Sequence, residues 1–391
     1  MQLSALDEKG KPVDWWFMYK VAGKAKASGS AAGRGAQYVY FDSNMAANGK
    51  LGLSPYHVDK DGALPNTLNQ LYVKEGPLTQ DLGWFFYNDE NPLNGKTNSS
   101  RGHAKGALAF DLGSDTGFWL VQSTPKFAPQ GQYSYPATGM PNAQTLLCVT
   151  LQNAGVAQVL AKQMFAAHQP NVYLTSKIPR DLANQPNDSR VQLMKNQVMV
   201  GNSPVTAVVP FLSKAGTKFT SIAKNKYWGL DFYNDLVGPT LHDNLNVETW
   251  EHGTTPLPLD SDKIHTVVDM KGIDLTPLGI DISWREPDDH AKLAISARSE
   301  STHYICVGDI NFTVSMRKRS GGTVAFLCEP LWTCISQILV GVMTHLKPGS
   351  RAETLAVARH AAKLAAARQA AKLGKPPQSS MGPAISKGGA S

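Results

Sequence analysis

The sequence predicts a mixed α/β (α+β) fold made of two divergent repeats. Each repeat is a β-sheet flanked by helices, and a pseudo-twofold axis relates them. Three observations predict this. The triplets His103-Ala104-Lys105 and His290-Ala291-Lys292 each precede an apolar run. The order strand with His-x-Lys, strand, loop, strand with cysteine, helix occurs twice. With 391 residues, 42% hydrophobic and 18% charged, the chain can bury a sizeable core and has an ordinary globular composition.

Taken in order, Val13 to Val21 is aromatic and β-branched and reads as a buried strand. Lys24 to Gly35 is small and glycine-rich, a flexible loop. Strands follow at Gln37 to Asp42 and Trp84 to Tyr87, and a loop over Asn91 to Ser100 delivers the chain to Arg101. His103 to Asp111 and Gly117 to Gln122 read as antiparallel neighbours. After a Pro/Gly/Tyr loop at Phe127 to Met140 comes a strand, Gln144 to Thr150. Ala154 to His168 has helical spacing at Val156, Val159, Leu160 and Met164. Between the halves, Ala207 to Leu212 reads as a strand and Thr220 to Leu236 as an amphipathic helix. Val247 to Trp250 and Thr266 to Asp269 are further strands. The second half then gives strands at His290 to Ile295, His303 to Ile310 and Gly322 to Cys328, and a helix from Pro330 to about His345. The expected organisation is an N-terminal repeat over 1–170, a C-terminal repeat over 171–348 and a basic tail over 349–391. In that tail, alanine-rich Ala352 to Leu373 favours helix, and Gly374 to Ser391 reads as disordered.

The net charge of +7 invites a nucleic-acid reading. It is unevenly spread, however. Arg351 to Ser391 holds seven Lys/Arg and one Glu, so the preceding 350 residues carry an excess of a single positive charge. A cationic site must therefore be argued from specific residues. No apolar run reaches roughly 18 residues, which argues against a transmembrane helix and a membrane partner. The start, Met1-Gln2-Leu3-Ser4, shows neither a basic n-region nor an apolar h-region. The four cysteines, Cys148, Cys306, Cys328 and Cys334, form no C-x-x-C, so a zinc ribbon or thioredoxin-type motif is not expected.

The paired triplets carry the chemistry. Lysine is a fixed cation suited to a phosphate oxygen. Histidine is a nucleophile when neutral and a general acid when protonated. Two copies supply both roles around one phosphodiester: one histidine attacks phosphorus, and the other protonates the leaving oxygen and then activates water. The lysines supply the charge stabilisation that a divalent ion would otherwise give, so neither metal nor cofactor is expected. A single His-x-Lys is common and carries little weight by itself. The remaining histidines, His168 among them, show no ligand-like spacing and read as surface or core residues.

Beyond the triplets, eight segments occur in one order: Gly10-Lys-Pro-Val-Asp-Trp15 with Tyr19-Lys20, Tyr87-Asn-Asp89, Arg101-Gly-His-Ala-Lys-Gly106, Gly117-Phe-Trp-Leu-Val121, Thr145-Leu-Leu-Cys148, Asp289-His-Ala-Lys292, Cys306-Val-Gly-Asp-Ile-Asn311 and Arg319-Ser-Gly-Gly-Thr323. On these the chain resembles the deoxyribonuclease II family, from about residue 10 to 348. That family belongs to the phospholipase D-like group, whose His-Lys motifs also come in pairs. The resemblance implies two phospholipase D-like repeats and a metal-independent endonuclease. It would act on double-stranded DNA at acidic pH and leave 3′-phosphate and 5′-hydroxyl ends. It places His103, Lys105, His290 and Lys292 on the catalytic motifs. Asp309 and Asn311 are implied to orient a histidine or bind phosphate, and Arg101 and Arg319 to flank the site. A periplasmic or extracellular location would follow from the family and its acid chemistry, although no signal peptide is visible.

The chain also departs from the family pattern. Gln122 stands where the family commonly has a third histidine, and Phe312 where it often has an arginine. The carboxylate expected after a gap of four residues beyond each lysine is missing: Asp111 is one residue late, and the second copy has Arg298 at the place corresponding to Asp111. Each histidine therefore lacks an assigned carboxylate. Cys306 and Cys328 match a family disulfide, worth perhaps ~3 kcal/mol if formed. Cys148 lacks its N-terminal partner, with Ala5 near that place, and Cys334 has no counterpart. Because unperturbed histidine titrates near ~6.5, one protonated and one neutral histidine imply an acidic optimum. Two other readings stand beside this one: a phosphodiesterase of the same chemistry acting on RNA or lipid headgroups, and a non-catalytic nucleic-acid binder using the basic tail.

Overall fold

A computed structural model describes residues 2–27, 34–74, 76–251, 264–297 and 302–342. Among these, two large sheets organise a mixed α/β fold with few helices. The first has eight strands, in spatial order Val172–Thr175, Leu82–Asn88, Lys105–Asp111, Thr116–Gln122, Gln144–Thr150, Trp15–Lys20, Tyr38–Asp42 and Gly52–Leu53. The second has seven: Thr206–Leu212, Lys218–Lys224, Gly321–Leu327, Tyr304–Gly308, Lys292–Ser296, Leu245–Thr249 and Val267–Asp269. All pairings in them are antiparallel except the parallel one between Leu245–Thr249 and Val267–Asp269.

Side chains alternate faces along a strand, and both faces here are covered. Trp15, Phe17 and Tyr19 enter a cluster shared by both sheets, with Leu293, Ile295, Ile305, Val307, Val324 and Phe326. Trp16 and Met18, from the same strand, pack on the opposite side with Leu64 and Leu68 of the helix Ala63–Asn69. Two-sided burial explains why the strand is one unbroken apolar run from Trp15 to Tyr19. The Trp15 and Phe326 rings meet across the halves at 5.1 Å between centroids.

The helix Ala154–Gln163 starts at Asn153, whose side chain caps the Val156 amide. It passes into a wider turn, Met164–His168, and stops at Gln169, a non-glycine residue at φ 49°. The helix Glu329–Ile338 starts with Pro330 in its first turn. It ends at Ile338 rather than near His345, because Leu339 turns extended and bridges Ile273. His345, the alanine-rich segment and the Gly/Pro/Ser segment lie outside the described residues, as does part of the Lys24 to Gly35 loop.

Other expectations are corrected. Thr220 to Leu236 is not a helix: Lys218–Lys224 is a strand paired on both sides, and helical structure begins only at Tyr233–Val237 or just before. Phe219, Ile222 and Ala223 match helical spacing, yet Phe219 and Ile222 face opposite sides of the sheet. The strand Val172–Thr175 pairs with Leu82–Asn88 at the edge of the first sheet. The motif strands start at Lys105 and Lys292, leaving each histidine just before its strand.

The four cysteines are free, and Cys306 and Cys328 are not bonded. Cys306 pairs in register with Ala325 and shares its face of the second sheet. Cys328 lies three residues beyond Ala325 and so turns to the other face, in the cluster that holds Cys334. The sheet separates the two thiols.

Candidate active site

Both motifs sit where the two sheets meet. The His103 amide donates to the Ser320 carbonyl (2.8 Å), and the His290 amide to the Ala143 carbonyl (2.9 Å). Each histidine backbone is thus tied to the other half of the chain. Two glycines allow the close approach on the first side. A Cβ on Gly102 would stand 2.0 Å from the His168 carbonyl oxygen, and one on Gly322 would stand 2.5 Å from His168 Cε1. The Arg101-Gly102-His103 and Ser320-Gly321-Gly322 segments can therefore close on His168 only without side chains there.

The half-buried His103 places Nδ1 2.5 Å from the Asp309 carbonyl oxygen. A carbonyl only accepts, so Nδ1 carries the hydrogen. Burial, with Lys105 next, holds the His103 pKa well below the ordinary histidine value; Asp89 opposes this, and Lys292 and Arg319 add to it. The neutral ring that results leaves the Nε2 lone pair free. The orienting group that sequence left unassigned is a main-chain carbonyl, not a carboxylate.

Lys105 Nζ is 2.5 Å from Asp89 Oδ1, and Arg319 Nη2 is 2.8 Å from Asp89 Oδ2. Asp89 thus bridges one cation from each half. Burial alone would raise its pKa, but Lys105, followed by His103 and Arg319, holds it far below the carboxylate range. Lys292 donates its amide to Thr145 Oγ1 (3.3 Å) and its ammonium to the His290 carbonyl (2.5 Å). Burial first, then Lys105, lowers its pKa to about 7. That influence places the two motif lysines within electrostatic reach of each other. The half-buried His290 packs against the Trp250 ring, with centroids 4.4 Å apart. Asp289, fully buried before it, accepts from Tyr19 Oη (2.5 Å), Trp284 Nε1 (2.7 Å) and the Ala291 amide (2.8 Å). Three donors on one carboxylate fix the chain that presents His290.

The flanking candidates divide. Asp309 lies at the centre: its carbonyl holds His103, and its carboxylate accepts the Lys105 amide at 3.3 Å. Arg319 joins through Asp89. Asn311 is buried, with Oδ1 lacking a hydrogen-bond partner. Arg101 turns to the Asn196 carbonyl (2.7 Å) and lines a neighbouring cavity instead. Gln122 bonds the Thr124 amide and Phe312 packs in the second half's core, so neither reaches this centre. Asp111 holds the turn at Ser114.

Sequence reasoning missed two residues. Asp89 lies in the Tyr87-Asn-Asp89 segment, where the sequence alone attaches no role to it. His168 had been read as surface or core; it is buried, with Nδ1 3.6 Å from Asp309 Oδ2. Burial raises the Asp309 pKa and His168 opposes that rise. Spacing gave no signal for this pair, which exists only because the chain folds.

In this mixed α/β fold the two motif lysines and Arg319 all lie within electrostatic reach of His103. The comparisons with known proteins make the class particular. The deoxyribonuclease II family model matches residues 4–344. A putative deoxyribonuclease-2 from Burkholderia pseudomallei (strain 1710b) is 40% identical over 343 residues, covering 86% of this chain and 92% of the relative. The deoxyribonuclease-2 of Caenorhabditis elegans is 31% identical over 361 residues, covering 86% and 92%. The deoxyribonuclease-2-alpha of Rattus norvegicus is 32% identical over 344 residues, covering 86% and 93%. The chain belongs to the deoxyribonuclease II family of DNA-cleaving hydrolases.

Proposed function

We propose that the protein is an endonuclease that hydrolyses double-stranded DNA through a phosphohistidine, with His103 as nucleophile and His290 as general acid. The observation that carries this assignment is the His103 Nδ1–H donated to the Asp309 carbonyl, which leaves the lone pair of the neutral ring on Nε2. In the first step Nε2 bonds to phosphorus and the bond from phosphorus to the 5′-oxygen breaks. His290 gives that oxygen its proton, leaving a 5′-hydroxyl. In the second step His290 takes a proton from water, the water oxygen bonds to phosphorus and the N–P bond breaks. The product is a 3′-phosphate, and both histidines return to their starting states.

Lys105, Lys292 and Arg319 neutralise the phosphoryl oxygens, the role a divalent ion plays elsewhere. The reaction is therefore metal-independent. It slows as pH rises, because His290 must enter protonated. The duplication reading is supported by strand order. From the edge beyond each motif strand inward, Leu82–Asn88, Lys105–Asp111, Thr116–Gln122, Gln144–Thr150 and Trp15–Lys20 run in the order of Leu245–Thr249, Lys292–Ser296, Tyr304–Gly308, Gly321–Leu327 and Lys218–Lys224. Two phospholipase D-like repeats, each supplying one histidine and one lysine, account for that correspondence.

Plasmid nicking in EDTA tests the proposal. Cleavage should persist, and His103→Ala and His290→Ala should each lower the rate by roughly 10²–10⁴ or more. Cleavage abolished by EDTA would overturn the metal-free mechanism. Full activity in either variant would overturn the assignment.

A further inference from the structure

A cavity of about 630 Å³ opens beside the first motif, within the range of small-molecule sites. Its wall is bonded to the frame of His103. Ser320, whose carbonyl accepts the His103 amide, accepts the Lys226 amide on Oγ (2.9 Å) and donates that hydroxyl to Gln169 Oε1 (2.9 Å). The Gln169 carbonyl in turn accepts the Gly102 amide (2.8 Å). Arg101, Lys226 and Gln169 all line the cavity, so it begins two residues from the proposed nucleophile.

Its chemistry is selective. Among the described residues Arg101 and Lys226 are its cations, and no aspartate or glutamate lines it. Arg101 gives Nη2 to Asn196 but leaves Nη1 without a hydrogen-bond partner. Tyr227 is exposed, with Lys226 Nζ 5.1 Å from its ring centroid. Gln192, Gln197 and Asn202 contribute carboxamides. Cations suit a phosphate, an aromatic ring suits a base face, and carboxamides suit base edges. The absence of acids among the lining residues suits a polyanion.

We propose that this cavity receives one nucleotide of the DNA strand flanking the scissile phosphate. Arg101 and Lys226 hold that nucleotide's phosphate and Tyr227 stacks on its base. The proposal rests on the nuclease reading above. It adds a subsite that grips a flanking base turned out of the duplex and biases where the chain is cut.

The test compares two substrates: a short single-stranded oligodeoxynucleotide and bis(p-nitrophenyl) phosphate, a diester with no flanking nucleotide. Tyr227→Ala and Lys226→Gln should each raise KM for the oligonucleotide by about tenfold, the effect of losing one stacked base or phosphate contact. They should leave hydrolysis of the small diester unchanged, and Tyr227→Phe should restore the oligonucleotide KM. Sequenced cut ends should lose base preference at one position in Tyr227→Ala. Unchanged oligonucleotide KM and cut-site pattern would overturn the subsite, as would an equal fall on both substrates. A wild-type protein that cleaves neither substrate removes the nuclease reading and the subsite with it.

Discussion

Replacing Asp269 with asparagine should flatten the dependence of stability on pH. Asp269 ends the edge strand behind the second motif and is buried with Glu248, Glu251, Glu286 and Asp289. Neither Glu248 carboxylate oxygen has a hydrogen-bond partner. Burial, with Glu286 adding and the Glu251 hydrogen bond opposing, raises the Asp269 pKa from 3.8 to about 7. A carboxyl whose pKa is raised on folding contributes stability fully below its unfolded value, and loses it as pH climbs through the folded one. The interval from 3.8 to about 7 corresponds to on the order of 4 kcal/mol, lost between acid and pH 8. Asp89 acts in the opposite sense. Its pKa is lowered on folding, so its contribution is present above the ordinary carboxylate range and fades in stronger acid. The stability maximum should therefore lie near the ordinary carboxylate value, at about pH 4. Urea denaturation from about pH 4 to 8 measures it. Wild type should lose several kcal/mol between about pH 4 and 8, and Asp269→Asn should lose less, by an amount approaching ~4 kcal/mol. Superimposable profiles would refute the reasoning.

Three further outcomes follow from the contacts. Asp89→Asn leaves Lys105 and Arg319 without their shared counter-charge, so it should destabilise the fold by about 3–5 kcal/mol in thermal or urea unfolding, with loss of kcat. His168→Leu removes the partner of the Asp309 carboxylate. It should lower kcat by about ten- to a hundredfold with little change in KM, and His168→Gln should recover part of that loss in steady-state kinetics. Thiol titration of the denatured, unreduced protein should give four free cysteines, with intact mass unchanged by reductant.

Local features were legible in the sequence. His103, Lys105, His290 and Lys292 announced themselves because each pair is close in the chain and the pairs are alike. Long apolar strands such as Gln144–Thr150 were visible for the same reason, since burial on both faces leaves no polar interruption. Features set by distant contacts were not. His168 matters through Asp309 and Gly322, residues far away in the chain, and its neighbours Ala167 and Gln169 offer no pattern. Lys218–Lys224 was misread because its apolar positions fit two periods, and only pairing with Gly321–Leu327 selects the extended one. The Cys306–Cys328 pairing failed on facing, which residue count alone does not reveal.

The bridge from Lys105 through Asp89 to Arg319 has a consequence for the cell that makes this protein. A chain that digests DNA is dangerous while it is being synthesised beside the genome. Here the proposed nucleophile is aimed by the Asp309 carbonyl, and its neighbouring lysine shares a carboxylate with Arg319, both from the later half. A nascent first half thus holds a histidine with nothing to aim it and a lysine whose carboxylate has a single cation. On the proposed mechanism, the seam between the sheets makes cutting depend on the last strands closing onto the first.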